Sequence, residues 1–213
     1  MFNLPAVKFP GFDVPNNSLY LFLVNRLLFF LYVLMACLSC SRPKVVYIQP
    51  LGHVEMADIN LVKSTVEKFY HYKCIVKPAV NLTDDILADS KTRYEANRIL
   101  SKYNSSENLL ILTEQDVAVV NPERHSNEWG IFGLGYQPGT TCVVSTFRLR
   151  QNASDQLFRE RLTKVCLHEI GHNLGLEHCT SGDKRRLMQD AKGTIKVVDE
   201  ARLFLCAQCR RQL

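Results

Sequence analysis

No internal repeat, no long basic run and no Pro/Gly-rich tract breaks the 213-residue sequence. With 10 Gly and 8 Pro, collagenous and low-complexity classes are excluded. Hydrophobic residues at 46% and charged residues at 22% exclude a disordered chain. An excess of one charge sign is also missing. The 26 basic residues face 21 acidic ones, a net charge of +5, which gives no argument for nucleic acid as a partner. The length fits one domain, or one domain with a small appendage. Eight cysteines are present. They are too few for a small disulfide scaffold and too many to ignore.

Residues 1–43 differ from the rest. A polar start leads into Leu19–Val24, then Asn25-Arg26, then an apolar block from Leu27 to Cys37. The block has the length of a signal-peptide core and is short for a membrane span. Its end, Leu34-Met-Ala-Cys37, resembles a bacterial lipobox, with Cys40 as a second candidate for lipidation. The expectation is a leader with a short linker at 1–43 and a location in the cell envelope, as a membrane-anchored lipoprotein or in the periplasm. A start at Met35 would instead give a cytoplasmic protein.

From Lys44 onward, strands and helices alternate. Val45–Gln49, Tyr72–Val76, Leu109–Leu112, Trp129–Tyr136 and Cys142–Phe147 read as strands, the first ending at Pro50. Asp58–Tyr70, Arg93–Tyr103 and Asp155–Leu174 carry helical spacing. Residues 121–127 read as a polar loop. The order implies an α/β (α+β) sandwich with a mixed sheet.

Near the end of the longest helix the chain reads His168-Glu169-Ile170-Gly171-His172-Asn173-Leu174-Gly175-Leu176-Glu177-His178. Residues four apart lie roughly 40° apart on one helix face, so His168 and His172 can reach one ion. Imidazole nitrogens at about 2.0–2.1 Å suit zinc. Glu169 stands beside the first ligand, placed to take a proton from water as general base. Gly175 can reverse the chain in a left-handed conformation and bring His178 back as third ligand. Three neutral imidazoles leave the full metal charge to acidify water. His53, His71 and His125 read as surface or turn residues. Cys74, Cys142 and Cys166 read as buried thiols.

This segment resembles a metzincin zinc motif. With Cys179 directly after it, Met188, and Cys206-Ala-Gln-Cys209, the chain is similar to the archaemetzincin family over about Lys44–Leu213. Tyr47–Gly52 and Val144–Arg148 also look like family segments. The resemblance implies a metzincin-like mixed twisted sheet with flanking helices and an active-site helix. It implies a subdomain at 44–178 and a small Cys-containing subdomain at 179–213. Met188 would form the Met-turn, an apolar floor under the histidines. The implied activity is zinc-dependent hydrolysis of peptide bonds by a monomer, on a peptide or protein substrate. An edge strand over Gly130, Ile131, Phe132, Gly133, Leu134 and Gly135 is the candidate to pair with substrate. The other class considered is a non-catalytic zinc-binding envelope protein.

One catalytic Zn²⁺ is expected; a second, structural one is in doubt. The family's second site has four cysteines, and Cys179, Cys206 and Cys209 match three. The fourth falls on Arg186, which cannot ligate zinc, and 180–187 is longer than the family pattern. Three readings follow. Asp183 or water completes the site; the second zinc is lost; or Cys179 forms a disulfide with Cys206 or Cys209. A weakened or absent second zinc is the expectation.

Overall fold

The computed structural model describes residues 44–120 and 128–213, with Phe22, Asn25, Arg26 and Leu28 of the N-terminal segment. The chain groups into two compact units, Met1–Arg42 and Pro43–Leu213. The lipobox cysteines Cys37 and Cys40, Met35, and the 121–127 loop with His125 lie outside the described residues. Among the described residues, no helix is long and apolar enough to cross a membrane.

Among the described residues, eight strands form two sheets. They are β1 (Val45–Leu51), β2 (Lys73–Val76), β3 (Tyr94–Glu95), β4 (Asn108–Thr113), β5 (Val117–Val120), β6 (Glu128–Gly130), β7 (Gly133–Gly135) and β8 (Thr141–Ser145). The larger sheet has the order β2-β1-β4-β8-β7 and the smaller β3-β5-β6. In the larger sheet all neighbours are parallel except β7, which runs antiparallel to β8 at the edge. The helices are α1 (Met56–Tyr70), α2 (Ala96–Lys102), α3 (Phe147–Arg150), α4 (Asp155–Asn173), α5 (Ile195–Glu200) and α6 (Ala207–Arg210).

The pleat sends alternate side chains to opposite faces. Val46, Ile48, Leu110, Leu112, Cys142 and Val144 enter a core with α1 and α4. Leu51, Leu109, Ile111 and Val143 enter a second core with Ile99 and Leu100 of α2. Both faces of the sheet are therefore covered, as parallel strands require. Met188, Leu205, Cys206 and Cys209 share the first core with the sheet and α4.

Several boundaries differ from the sequence expectations. β1 continues through Leu51, pairing Pro50 with Leu112. The helix expected from Arg93 begins at Ala96, because Tyr94-Glu95 pairs with β5. Glu95 then caps α2, its carboxylate accepting from the Asn97 and Arg98 amides at 3.2 and 2.8 Å. β8 stops at Ser145, whose hydroxyl accepts from the Phe147 amide at 3.2 Å, and α3 follows. The strand expected over Trp129–Tyr136 divides into β6 and β7, which belong to different sheets. Three-residue strands joined through Ile131-Phe132 leave no alternation long enough to show the break.

Helix α4 is buried around most of its circumference. Ser154 caps it, accepting from the Leu157 amide at 3.3 Å. Arg161, 4% exposed, donates Nε and Nη2 to the Asp199 carboxylate at 2.7 and 2.9 Å. Its Nη1 donates to the carbonyls of Leu149 and Gln151, both at 3.0 Å. The pair ties α4 to α5. Asp199→Asn leaves a buried guanidinium short of its counter-charge. Full burial would cost 3–5 kcal/mol; with Asp199 31% exposed, we expect about 2–3 kcal/mol in urea unfolding at neutral pH. Arg161 also holds the Asp199 carboxyl below its ordinary value. The pair's contribution is therefore complete above the unfolded carboxylate range and is lost as pH falls through the lowered folded value. The gap between parent and variant should close on acidification below about pH 4.

Candidate metal centre and active site

Helix α4 ends in a Schellman turn. The Gly175 amide donates to His172 O at 2.8 Å, and the Leu176 amide to Gly171 O at 2.9 Å. Gly175 has φ +92°, the left-handed region expected from sequence. The reversed chain carries His178 back against the helix. Ring centroids lie 4.6 Å apart for His168–His172, 5.4 Å for His168–His178 and 4.8 Å for His172–His178.

Two main-chain carbonyls orient the first two rings. His168 Nδ1 donates to Leu187 O and His172 Nδ1 to Leu176 O, each at 2.8 Å. A carbonyl only accepts, so both rings carry the proton on Nδ1 and present Nε2 lone pairs to a common point. Those Nε2 atoms are 3.0 Å apart, against about 3.3 Å between two nitrogens on a tetrahedral zinc. One ligand atom from each of the three histidines lies within 4.8 Å of the others. The donor set, tautomers and spacing fit zinc. Burial, then the neighbouring His172, pulls His168 down to about 4, and burial lowers His172 too, so both are neutral ligands at neutral pH.

Glu169 is buried beside this cluster, against β7. A Cβ on Gly133 would meet Glu169 Cγ at 2.7 Å and Val143 O at 2.9 Å; one on Gly135 would meet Glu169 O at 2.7 Å. Only glycine lets the edge strand approach the helix this closely. Burial pushes the Glu169 carboxyl up to about 8, partly opposed by a hydrogen bond from the Gly135 backbone. Of the run expected as one edge strand, Gly133, Leu134 and Gly135 form the sheet edge. Gly130 belongs to β6, packed on the Arg148 guanidinium, and Ile131 and Phe132 lie between the strands.

Met188 is fully buried, packed against Gly171 in the turn of α4 between His168 and His172. A Cβ on Gly171 would meet Met188 Sδ at 2.6 Å, so the glycine inside the motif admits the methionine. A cavity of about 360 Å³ opens beside the cluster, lined by β7, the three histidines and Glu169. Gln189–Gly193, Val165, Val197 and Val198 also line it, as does Lys164, which donates to the carbonyls of Val198 and Asp199 at 3.0 and 2.9 Å. Sequence reasoning missed these cavity residues and the two orienting carbonyls. Main-chain groups and an irregular segment carry no residue signal.

The three cysteines expected in a second site do come together, their sulfurs within 4.8 Å of one another. Cys206 Sγ lies 3.6 Å from Cys179 Sγ and 3.3 Å from Cys209 Sγ; all three thiols are free, which corrects the disulfide reading. The backbone amide of Cys209 lowers the Cys206 thiol, while burial raises Cys209. Arg186, in the place of the fourth cysteine, sets its guanidinium over the Phe204 ring at 4.8 Å. Asp183 is engaged elsewhere, accepting from the Arg185 amide at 3.0 Å. Cys74, Cys142 and Cys166 are buried, and His53 and His71 exposed, as expected.

Residues 60–213 match Peptidase family M54. An archaemetzincin of Halobacterium salinarum is 28% identical over 175 residues, covering 77% of this chain and 96% of its own. The crystal structure of an archaemetzincin from Archaeoglobus fulgidus, complexed with malonate, superposes with a TM-score of 0.69 at 27% identity. It covers 79% of this chain and 99% of its own. That of Methanopyrus kandleri shares the fold, with a TM-score of 0.64 at 23% identity, 81% of this chain and 98% of its own. The mixed sheet with its antiparallel edge, the matched length and the histidine cluster agree: the chain belongs to peptidase family M54 and is a zinc metallopeptidase.

Proposed function

We propose that the protein cleaves peptide bonds in the cleft beside β7, with His168, His172 and His178 holding zinc and Glu169 as general base. The observation that carries this reading is the Glu169 carboxyl, buried against the edge strand and adjacent in the helix to the oriented His168 ring. Zinc at the three imidazoles supplies Lewis-acid polarisation of the scissile carbonyl and acidifies water. Glu169 takes the proton of the attacking water and delivers it to the departing amine. The Gly135 backbone hydrogen bond orients the Glu169 carboxyl. The free edge of β7 offers main-chain groups to an extended peptide. Val165, Val197 and Val198 give the cavity an apolar wall for a substrate side chain.

The test is a peptide mixture incubated with zinc-loaded protein and read by mass spectrometry. New termini that vanish on chelation and return with zinc are expected. Zinc retained with no cleavage of any peptide would favour the non-catalytic reading. The envelope location is proposed from residues 1–43 alone. A mature N-terminus at Cys37 or Cys40 in the membrane fraction supports it; a start at Met35 assigns the protein to the cytoplasm.

A further inference from the structure

The three-thiol cluster lacks a fourth cysteine, yet a fourth donor stands next to it. Ser181 Oγ lies 3.0 Å from Cys179 Sγ, two residues along the same loop. Among the described residues no histidine, aspartate or glutamate joins the three sulfurs. Cys206 and Cys209 are 7% and 6% exposed and belong to the first core, so two sulfurs are fixed by packing. Cys179 is half-buried, and its amide is anchored to Met188 O at 2.7 Å. The Cys206–Cys209 and Cys179–Cys206 separations of 3.3 and 3.6 Å fall a little short of the roughly 3.8 Å edge of a tetrahedron with Zn–S bonds of about 2.3 Å, so a small outward movement of the thiols admits the ion.

We propose that Cys179, Cys206 and Cys209 bind a second zinc whose fourth ligand is the Ser181 hydroxyl, in place of a fourth thiolate. A neutral hydroxyl is a harder and weaker donor to zinc than a thiolate. The ion is held, but more loosely than in a four-thiolate site, and it sits beside a half-buried residue through which it can exchange. Binding releases the thiol protons, so occupancy rises with pH.

The experiment uses the full chain, loaded with zinc or cobalt alone. Native mass spectrometry is expected to count two zincs in the parent and one in Cys206→Ser. Cobalt loading should give a thiolate-to-cobalt charge-transfer band that the histidine site cannot produce. Ser181→Ala should release its second zinc to a colorimetric chelator at least roughly tenfold faster than the parent. Ser181→Cys should release it more slowly and strengthen the charge-transfer band. One zinc per chain in the parent would overturn the proposal, as would equal release rates in the parent and Ser181→Ala. Circular dichroism of both Ser181 variants separates a lost ligand from a lost fold.

Discussion

Glu169→Gln is expected to keep its zinc and lose hydrolysis, with kcat/KM falling about 10³-fold, within the range for a general base. The amide has the shape of the carboxyl it replaces, so the contact with Gly133 and the position of α4 are preserved. It cannot accept the proton that the reaction must move. The fold should not suffer. Burial raises the Glu169 carboxyl to about 8, well above its unfolded value, so the folded state holds an extra proton between those two values. Stability therefore falls as pH rises through that window, and the neutral amide removes the penalty. Metal-free Glu169→Gln should melt no lower than the metal-free parent at pH 8. Zinc content by atomic absorption, kcat/KM on any cleaved peptide and the melting temperature together check the result. Full activity would remove Glu169 from the mechanism.

Gly171→Ala is expected to destabilise the protein by about 1–2 kcal/mol and to weaken zinc binding. Two effects oppose each other. Alanine improves helix propensity by about 1 kcal/mol over glycine. Overpacking a filled core costs about 1–3 kcal/mol. Here the added carbon falls 2.6 Å from Met188 Sδ, 3.1 Å from Met188 Cε and 3.2 Å from Tyr70 Oη. Methionine usually yields, but Met188 has no exposed surface to move into. Tyr70 is held as well, donating its hydroxyl to Leu167 O at 2.7 Å. Strain wins, and it is delivered to the turn of α4 that carries His168 and His172. Leu187 O, which orients His168, adjoins Met188 and would shift with it. Adding Met188→Ala removes the struck atoms, so the cost of Gly171→Ala should be smaller in that background. A double-mutant cycle in urea, with zinc affinity measured in parallel, gives the coupling. Additivity within about 0.5 kcal/mol would mean that the two residues do not meet as described.

The histidines, the glutamate and the helix that carries them were legible because helical periodicity and donor chemistry act on residue types. Gly175 was legible for the same reason: a left-handed turn selects glycine. The parts that stayed hidden depend on groups every residue owns. Leu176 and Leu187 orient the metal ligands through carbonyls, and nothing about a leucine announces that. The edge strand expected over Gly130–Gly135 exceeds β7 because Gly130 and Gly133 look alike in sequence, although one packs on Arg148 and the other on Glu169. By residue type Asp183 is a better zinc ligand than Ser181, since a carboxylate binds the ion more strongly than a hydroxyl. Asp183 is instead taken up by the Arg185 amide, and a loop of irregular length set which donor reached Cys179.

The Schellman turn at the end of α4 has one more consequence. The residue that stops the helix also holds His172, since Leu176 donates its amide to Gly171 O and accepts from the imidazole at its carbonyl. Ring freedom at this ligand is thus surrendered during folding and not at metal capture. Ordering a side chain costs up to about 2 kcal/mol, and at His172 that entropy is already spent when an ion arrives. The affinity of the centre is set in part by how firmly a helix ends.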